Sequence, residues 1–553
     1  MATETAVGSG LETFHSWVAG QPLPGRGGTR IATNPATGEP IGQASLLDAA
    51  QAAAAIGAAQ AAFPAWSRTS FAERVRLLDR WRQAVVDEAD AIARLVESEQ
   101  GKPAAEALAA ELLPSLEALK HLSEHGEDEL RDEPLPPGQL LLAHKRARLS
   151  YSPFGVVLVI KPWNYPWGQS LPVLAASVFA GNTVVLKPAP ATTLVGLRMG
   201  ALARKAGFPD GVVNVVAVDD AVAAGLVEDP RVAKIVFTGS VATGKKVMAA
   251  AAKSLTPVVL ELGGKDAAIV CRDADLDLAA RGIAWNAFMN AGQTCSSVER
   301  VYVERPVYEP FLAKVLEEAR RVRLKDAAGA GELGPFTLEN QRLVVERHVA
   351  DAVARGARVL LGGERPAGPG FFYPPTVVVD VDPGTALMRE ETFGPVLPVT
   401  AVDSLDDAIR LANDSPYGLT ASGWTRSGET AERLQRELSA GVVSINDHSS
   451  SFAEPQAPWG GVRASGIGRI HGRAGLREMV QPKYVSFDSG RKSALWWYPY
   501  DAEYRRMISG VAPALYSTSF VARVAGQLGL LRFARLWRRF GAWRLIASLD
   551  KLF

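Results

Sequence analysis

Apolar residues recur at helical spacing early in the chain and in short continuous runs later. Between residues 46 and 133, LDAAQAAAAIGAAQAAFPAW and SFAERVRLLDRWRQAVVDEADAIARLVESEQGK repeat their apolar positions about every 3.6 residues, which predicts helices. The Ser70–Glu73 pair at the start of the second run is typical of a capping box. After DEPLPPGQ, the stretch LLLAHKRARLSYSPFGVVLVI predicts strands with a turn at Ser152–Pro153.

From residue 155 onward, apolar runs alternate with helical segments. GVVLVI, TVVLKP, VVNVVAV, KIVFTGS and TPVVLELGG form one series, with helices predicted near 169–180 and 193–206. A second series runs from about 264 to 445 and contains DAAIV, VERVYVE, ARVLLGG, TVVVDV, PVLPVTAV, ASGWT and AGVVSIN. Continuous apolar strands between helices are typical of parallel sheets covered on both faces. We therefore predict an α/β protein with two doubly wound domains, followed by a late strand, KYVSFD, at 483–488.

Charge changes the picture only at the carboxyl end. The whole chain is 47% hydrophobic with a net charge of +1, as in an ordinary globular protein, and we expect no nucleic-acid partner. Residues 489–553 carry eleven Lys/Arg against three Asp/Glu, a net +8, whereas the remaining residues carry 49 against 56, a net −7. The first residues lack a signal-peptide pattern, and no apolar run reaches the roughly 18 residues needed to span a bilayer. We therefore expect a cytoplasmic protein with a distinct tail.

The two cysteines lie in different kinds of sequence. Cys271 closes the apolar run DAAIVC, whereas Cys295 lies in FMNAGQTCSSVER, a polar turn in which we expect an accessible thiol. Two cysteines exclude a disulfide framework and a cysteine zinc cluster, and we expect no metal site. Cys295 is either a tolerated half-buried cysteine or a nucleophile.

Several motifs near strand ends carry candidate chemistry, and each also has a structural explanation. Gly239, Ser240 and Gly244 follow a strand and open a helix, where backbone N–H groups attract phosphate, although a simple turn explains them too. Lys187 ends a buried strand at the edge where α/β sheets bind ligands, or it extends its ammonium to solvent.

Two carboxylates and one amide are further candidates. Asn164 lies in a Pro-bounded turn, where its amide could stabilise an oxyanion or only the turn. Glu261 follows an apolar run, and burial would raise its pKa to suit a general base unless it is solvated. Glu391 and Phe393 flank a Gly-Pro turn, where a carboxylate could accept ribose hydroxyls or belong to an ordinary loop.

Together these motifs resemble the aldehyde dehydrogenase superfamily, in order and spacing, over roughly residues 25–488. They are Pro162-Trp163-Asn164, Lys187-Pro188, Phe237-Thr238-Gly239-Ser240, Glu261-Leu262-Gly263-Gly264, Gly292-Gln293-Thr294-Cys295, Glu391-Thr392-Phe393-Gly394-Pro395, Asn413…Gly418-Leu419 and Pro458-Trp459-Gly460-Gly461. The resemblance implies that Cys295 is the nucleophile, that Asn164 and the backbone N–H of Cys295 form an oxyanion hole, and that Glu261 activates water to hydrolyse a thioester. It implies NAD or NADP as cofactor, bound by Trp163, Lys187, Gly239, Ser240, Gly244, Glu391 and Phe393.

The resemblance also implies a domain plan and an oligomer. Residues 1–24 would be a tail, 25–262 an NAD(P)-binding domain with oligomerisation strands at 139–152, and 263–445 a catalytic domain. Residues 446–488 would form a return segment ending in an oligomerisation strand, and 489–553 a carboxyl-terminal extension with no counterpart in the soluble family core. Relatives of this kind are homodimers or homotetramers.

The chain departs from its presumed relatives at the cofactor and substrate sites. Pro190 replaces a glutamate that repels the 2′-phosphate of NADP in many NAD-preferring members, so NADP becomes plausible. Met289 replaces an arginine found in succinate-semialdehyde members. An apolar wall is expected from Trp167, Leu171, Pro172 and Val173. These features favour an uncharged aldehyde, with a carboxylated aldehyde of the succinate-semialdehyde type as the alternative.

The tail predicts a basic amphipathic helix. In LLRFARLWRRFGAW, apolar residues Leu530, Phe533, Leu536, Trp537, Phe540 and Trp543 share one face, and Arg532, Arg535, Arg538 and Arg539 share the other. Such a helix over 493–553 either lies on an anionic membrane surface or docks on protein. Gly526, Gly529 and Gly541 are expected to interrupt it. Two rival functions remain. One is a CoA-acylating relative, and the presence of Glu261 argues against it. The other is a catalytically silent membrane-associated scaffold, and the complete set of Cys295, Glu261 and Asn164 argues against that.

Overall fold

The computed structural model describes residues 11–136, 138, 142, 145–326, 329–488 and 496–533. Its strands, numbered in chain order, are β1 (Thr13–Phe14), β2 (Ser16–Val18), β3 (Gln21–Leu23), β4 (Thr29–Thr33), β5 (Pro40–Ser45), β6 (Glu133–Leu135), β7 (Arg146–Pro153), β8 (Val156–Ile160), β9 (Thr183–Lys187), β10 (Val213–Val215), β11 (Val232–Thr238), β12 (Val258–Glu261), β13 (Asp266–Val270), β14 (Val298–Glu304), β15 (Arg358–Leu361), β16 (Thr376–Val379), β17 (Val396–Val402), β18 (Thr420–Trp424), β19 (Val442–Ile445), β20 (Gly466–Ile467) and β21 (Val480–Phe487).

The helices follow the pattern expected from the sequence. They are α1 (Ala49–Trp66), α2 (Phe71–Asp87), α3 (Ala89–Gln100), α4 (Ala104–Ala107), α5 (Leu113–Leu130), α6 (Leu171–Phe179), α7 (Thr193–Ala206), α8 (Asp220–Glu228), α9 (Val241–Ala251), α10 (Leu276–Phe288), α11 (Tyr308–Arg321), α12 (Glu339–Ala354), α13 (Ala386–Arg389), α14 (Leu405–Asn413), α15 (Gly428–Glu437), α16 (Gly472–Arg477), α17 (Ala502–Tyr516) and α18 (Phe520–Leu530). The predicted capping box is confirmed, because the Ser70 side chain accepts from the Glu73 N–H and the Glu73 side chain accepts from the Ser70 N–H.

The first large sheet has the strand order β20-β12-β11-β8-β9-β10-β2-β3. Its central strands, from β12 to β10, are parallel, and β20 and β2 join antiparallel at the two sides. The sequences VVLVI in β8 and TVVLK in β9 are almost wholly apolar because both faces of the sheet are covered. The predicted doubly wound arrangement is confirmed for this sheet.

The second large sheet has the order β15-β16-β17-β14-β13-β18-β19, and only the β15–β16 pair is antiparallel. Successive residues of β13 enter opposite cores: Ile269 packs in one apolar cluster, and Ala268 and Val270 in the other. Both faces of the strand are therefore buried, which explains the continuous apolar runs of the second series.

The chain forms two compact units, residues 1–130 with 152–481, and residues 131–151 with 482–553. Both large sheets belong to the first unit. The second contains a small sheet of order β21-β7-β6 and the hairpin of α17 and α18. The small β element expected at 139–152 and 483–488 is present as a sheet, although residues 139–141 and 143–144 lie outside the described residues. Its role in oligomerisation and the domain boundaries stay predictions.

Two local predictions are wrong. The stretch 1–24 is not only a tail, because β2 and β3 extend the first sheet, with Trp17 opposite Val215. These strands are too short to show an apolar pattern, and their distant partners determine them. The turn expected at Ser152–Pro153 lies later, at Gly155, whose φ of 136° favours glycine. Pro153 instead ends β7, where no N–H is required.

The carboxyl-terminal helices differ from the expected interrupted helix. Gly526 and Gly529 lie inside α18. A Cβ at Gly526 would lie 2.7 Å from the backbone nitrogen of Ala514, so this glycine allows α18 to approach α17 closely. Residues 534–553, which include most of the predicted amphipathic helix and Gly541, lie outside the described residues. Among the helices that the structure describes, none has the length and apolar character needed to cross a bilayer.

Candidate active site

Four parallel strands of the first sheet end side by side with polar residues at their carboxyl ends. Ile160 of β8 pairs with Lys187 of β9, and Thr238 of β11 pairs with Glu261 of β12. Lys161 follows β8 directly and occupies the position between them. Open α/β sheets bind ligands outside this edge. The register therefore brings two predicted site residues, Lys187 and Glu261, to the same edge of the sheet.

Glu261 is a buried carboxyl group without a hydrogen-bond partner. Its exposure is 3%, and neither carboxyl oxygen has a partner among the described residues. Burial raises the pKa of Glu261 to about 8, against the opposing charges of Lys161 and Arg469. A carboxyl group with unoccupied oxygens and a pKa near neutrality suits a general base.

Cys295 lies in a tight loop after α10. The preceding turn, Met289–Gly292, contains two residues with left-handed backbone, Asn290 and Ala291, with φ of 54° and 55°. Cys295 is half-buried, which corrects the expectation of an accessible thiol, and it lines a cavity of about 850 Å³. Burial raises the pKa of the Cys295 thiol above its usual range, and nearby carboxylates, led by Glu391, raise it further. The resting sulfur therefore carries its proton.

Asn164 is fixed to the cysteine loop by hydrogen bonds. Its Nδ2 donates to the carbonyl of Gln293 at 2.9 Å, and its backbone carbonyl accepts from Asn290 Nδ2 at 2.9 Å and Lys102 Nζ at 2.8 Å. A primary amide has two hydrogens, so one remains for a substrate oxygen. The structure thus places the predicted oxyanion donor beside the loop that carries Cys295.

Lys187 is a buried cation at the same edge of the sheet. Its Nζ lies 3.6 Å from Oδ1 of Asp220, the first residue of α8, and burial lowers the pKa of Lys187 while Asp220 opposes that change. Pro190 is exposed nearby in sequence and carries no charge. A carboxylate therefore lies beside Lys187 after all, and it comes from Asp220, which the sequence analysis did not identify.

The predicted phosphate segment has one polar group suited to the role. Ser240 caps α9, its Oγ accepting from Thr243 N at 3.3 Å. The N–H of Gly239 donates to the carbonyl of Glu261 at 3.0 Å and is already occupied. Gly244 is buried, and a Cβ there would lie 2.5 Å from Leu262 Cδ2. Gly244 therefore serves helix–strand packing, and its position gives no support for contact with a pyrophosphate.

Glu391, Phe393 and Trp163 meet close to the end of β12. Glu391 Oε1 accepts from the Gly264 N–H at 3.2 Å, and a side chain at Gly263 would collide with this carboxyl group. Burial raises the pKa of Glu391 to about 8. The rings of Phe393 and Trp163 meet edge to face, with centroids 5.5 Å apart. Three residues separated by up to 230 positions therefore converge, as expected if they bind one ligand.

The donor set fits a nicotinamide dinucleotide but no resident metal. Lys187 supplies a cation, Ser240 marks the N-terminus of an eleven-residue helix, and Glu391 supplies a carboxyl group for hydroxyls. The rings of His121 and His125 lie one helical turn apart in α5, with centroids 4.9 Å apart and planes tilted by 46°, a spacing that was missed in the sequence. In the described part of the chain, no group of three or more His, Cys, Asp or Glu side chains could hold a metal ion.

A family model described as the aldehyde dehydrogenase family matches residues 24–485. The chain belongs to this family. It is therefore an NAD- or NADP-dependent oxidoreductase that oxidises an aldehyde to a carboxylic acid, as the motif resemblance predicted. The family assignment also removes the catalytically silent scaffold from consideration.

Relatives of known name agree with this assignment. The 3-sulfolactaldehyde dehydrogenase of Pseudomonas putida is 38% identical over 461 residues, covering 83% of this chain and 93% of that protein. The NADP(+) succinate-semialdehyde dehydrogenase of Escherichia coli strain K12 is 37% identical over 480 residues, covering 86% and 98%. An NAD+ complex of an aldehyde dehydrogenase from Bacillus cereus superposes with a TM-score of 0.83 at 33% identity, covering 86% and 97%.

The substrate side of this aldehyde dehydrogenase is the 850 Å³ cavity that reaches Cys295. The wall expected from Trp167, Leu171, Pro172 and Val173 does not line it. These residues are buried elsewhere, and Pro172 and Val173 line a separate, smaller cavity. Apolar lining comes instead from residues before and after this segment: Pro103, Ala105, Ala109, Ala110, Pro114, Trp285, Phe288, Met289, Leu333, Phe452 and Trp459. Charged residues also line the cavity: Glu106, Arg281, Glu318, Arg321 and Glu332.

Sequence reasoning missed charged residues that support the site. Glu299 of β14 accepts from the backbone N–H groups of Thr392 and Phe393, both at 2.8 Å, and forms a buried ion pair with Lys265 at 2.5 Å. It thereby fixes the loop that carries Glu391. Lys161 was also missed. A charged residue within or directly after an apolar strand is the signal that could have identified both.

Proposed function

We propose that Cys295 attacks the carbonyl carbon of the aldehyde and that Glu261 activates the water that later releases the acid. As the S–C bond forms, the thiol gives its proton to solvent water, and the amide of Asn164 with the backbone N–H of Cys295 stabilises the oxyanion. A bound NAD(P) would supply the acceptor for the hydride that the former aldehyde carbon gives up as the carbonyl of the thioester re-forms. Water then attacks the thioester, Glu261 takes its proton, and the acid leaves as the S–C bond breaks.

The convergence of Cys295 and Glu261 carries this proposal. The Cys295 loop packs against Gly264, three residues after Glu261, where a Cβ would lie 2.5 Å from the carbonyl oxygen of Cys295, and Glu261 has both oxygens unoccupied. Cys295→Ala should abolish formation of reduced cofactor while leaving cofactor binding intact, as measured by fluorescence titration. Cys271→Ala is the matched control, because that thiol is buried in the core of the second sheet. Full turnover by Cys295→Ala would refute the proposal.

For the substrate, we propose an uncharged and largely apolar aldehyde. The support is the apolar lining of the cavity. Met289 lines it at the position where succinate-semialdehyde members have an arginine, and Trp285 and Trp459 also belong to its wall. Each additional buried methylene is worth about 0.8 kcal/mol, roughly a four-fold gain in kcat/KM. A series of aliphatic aldehydes should therefore show kcat/KM rising with length. A flat series would contradict an apolar site.

A carboxylated aldehyde is the second candidate, because named relatives act on semialdehydes and Arg281 and Arg321 line the cavity. If this candidate is right, Arg281→Met and Arg321→Met should lower kcat/KM for succinate semialdehyde by at least about ten-fold and leave an uncharged aldehyde of equal length unaffected. Equal losses for both aldehydes would remove the carboxylated substrate from consideration.

We also propose a homodimer or homotetramer assembled through the small sheet. Tyr484 and Phe487 on β21 are 60% and 64% exposed, and β21 lies at the edge of its sheet. An exposed edge strand with aromatic side chains is suited to pairing with another chain. Light scattering should give the mass of a dimer or tetramer, and Tyr484→Lys should lower it. An unchanged mass in that variant would show that β21 is not the interface.

We propose, further, that the carboxyl-terminal extension binds an anionic membrane surface from the cytoplasmic side. Tyr516, Phe520 and Val521 flank the turn between α17 and α18 and are 65–76% exposed, and the extension has a net charge of +8. The Phe520→Ser, Val521→Ser double variant should lose sedimentation with phosphatidylserine vesicles. Leu255→Ser, at an 88% exposed leucine of the first unit, is the control. Absent sedimentation of the unaltered protein would refute the proposal.

A further inference from the structure

Lys161 is a buried cation beside the proposed base. It is 2% exposed, and its Nζ donates to Thr238 Oγ1 at 2.9 Å. In the described ranges, no carboxylate oxygen lies within 4 Å of this ammonium, so it has no direct ion pair. A buried ammonium is costly without a counter-charge. Its position therefore calls for a nearby anion that is not in direct contact.

The strand register identifies that anion as Glu261. Thr238 is paired with Glu261 across β11 and β12, and Lys161 follows Ile160 on β8, the neighbour of β11 on its other side. Adjacent strands lie about 4.8 Å apart. Lys161, Thr238 and Glu261 thus form a row, with the threonine hydroxyl between the ammonium and the carboxyl group. This geometry leaves room for the charges to interact without touching.

The other charged or titratable groups near Glu261 contribute less than Lys161. Arg469 also faces Glu261, but its guanidinium donates to the backbone carbonyls of Gly461 and Gly468. His471 is half-buried, with neither ring nitrogen hydrogen-bonded, and loss of solvation with the charge of Lys161 lowers the pKa of His471 to about 4, so this ring is neutral. Cys295, also near, is a protonated thiol at rest. Lys161 is therefore the principal cation acting on Glu261.

We propose that Lys161 is a positioning residue for thioester hydrolysis, holding a positive charge on the far side of β11 from Glu261 so that part of the base is in its carboxylate form at neutral pH. This inference rests on the proposed role of Glu261. Burial lowers the pKa of Lys161 to about 7, with Glu261 opposing that change, so the two groups titrate in the same range and each stabilises the charged form of the other.

The test is the pH dependence of hydrolysis in Lys161→Met, which keeps the side-chain length and removes the charge. Without the cation, the proton affinity of Glu261 increases, so the acidic limb of kcat should move about one pH unit or more to higher pH. At pH 7, hydrolysis should fall roughly ten-fold, while the initial burst of reduced cofactor keeps its amplitude. Lys161→Arg should restore most of the limb.

Lys234→Met is the matched control. Lys234 is a buried lysine of β11 whose ion pair, with Glu478 at 2.8 Å, lies away from Glu261. The Lys234→Met variant measures the effect of removing a buried lysine that does not act on Glu261. The acidic limb of its pH profile should not move. If Lys161→Met does not fold, Thr238→Val tests the same row through loss of the hydroxyl and should move the limb in the same direction by a smaller amount.

An unchanged acidic limb in Lys161→Met, or in Thr238→Val where only that variant folds, overturns the inference. A lost burst overturns it as well, because Lys161 would then act before hydrolysis. Failure of the proposed function gives a different result: Glu261→Gln would then hydrolyse the thioester normally. If Glu261→Gln cannot hydrolyse the thioester and the acidic limb of Lys161→Met does not move, only the role of Lys161 is refuted.

Discussion

Replacing Glu261 by glutamine should stop hydrolysis of the thioester and spare the steps before it. Glutamine keeps the shape of the buried side chain but cannot accept a proton from water. A positioned general base contributes about 10²–10⁴ in rate, so steady turnover should fall at least about a hundred-fold. With a pKa of about 8, roughly a tenth of Glu261 is ionised at pH 7 and roughly nine-tenths at pH 9. Hydrolysis by the unaltered enzyme should therefore increase about ten-fold across this interval, whereas hydrolysis by Glu261→Gln should stay constant.

The assay is rapid mixing of enzyme, NAD(P) and aldehyde, with reduced cofactor followed by absorbance. Glu261→Gln should give one reduced cofactor per active site and then almost none. Glu304→Gln is the control, since Glu304 is equally buried at the end of β14 but pairs with Arg272, and it should retain the pH dependence. Loss of the burst in Glu261→Gln would place this residue before hydride transfer and refute the assignment as hydrolytic base.

Two further predictions concern the cofactor and stability. Asp220→Asn should raise the ratio of kcat/KM with NADP to kcat/KM with NAD, since it removes a carboxylate 3.6 Å from Lys187. Pro190→Glu should lower the same ratio roughly 5- to 30-fold, which corresponds to about 1–2 kcal/mol. Unchanged ratios would contradict both predictions. Burial raises the pKa of Glu99 to about 8. Between pH 4.5 and 8 the folded state therefore holds a proton on Glu99 that the unfolded state has lost, so the free energy of unfolding falls as pH rises. Glu99→Gln should make the slope of unfolding free energy against pH less negative, by up to about 1.4 kcal/mol per unit, measured by urea denaturation; an unchanged slope would contradict the burial effect.

The sequence predicts the strands whose pattern is strong and misses those set by partners. Runs such as VVLVI in β8 and DAAIV in β13 are buried on both faces, so apolar content alone identifies them. β2, β3 and β20 have two or three residues each, and their place in the sheet depends on residues far along the chain, as in the pairing of Gly466 with Glu261. No local pattern contains that information.

The same distinction holds for the site. Cys295, Glu261, Asn164 and Lys187 could be selected as candidates because strand ends and loops with chemical side chains are recognisable in sequence, and their catalytic and binding roles stay predictions. Side-chain directions could not, since they depend on packing. Gly244 faces Leu262, and the residues of the expected apolar wall do not line the large cavity.

Mass spectrometry of the trapped intermediate tests the central claim most directly. Glu261→Gln, mixed with NAD(P) and an aliphatic aldehyde and quenched in acid, should gain the mass of one acyl group, and the peptide that contains Cys295 should carry it. The peptide that contains Cys271 should be unmodified, and Cys295→Ala should gain no mass. An acyl group on any other residue, or full turnover by Cys295→Ala, would contradict a reaction through a Cys295 thioester.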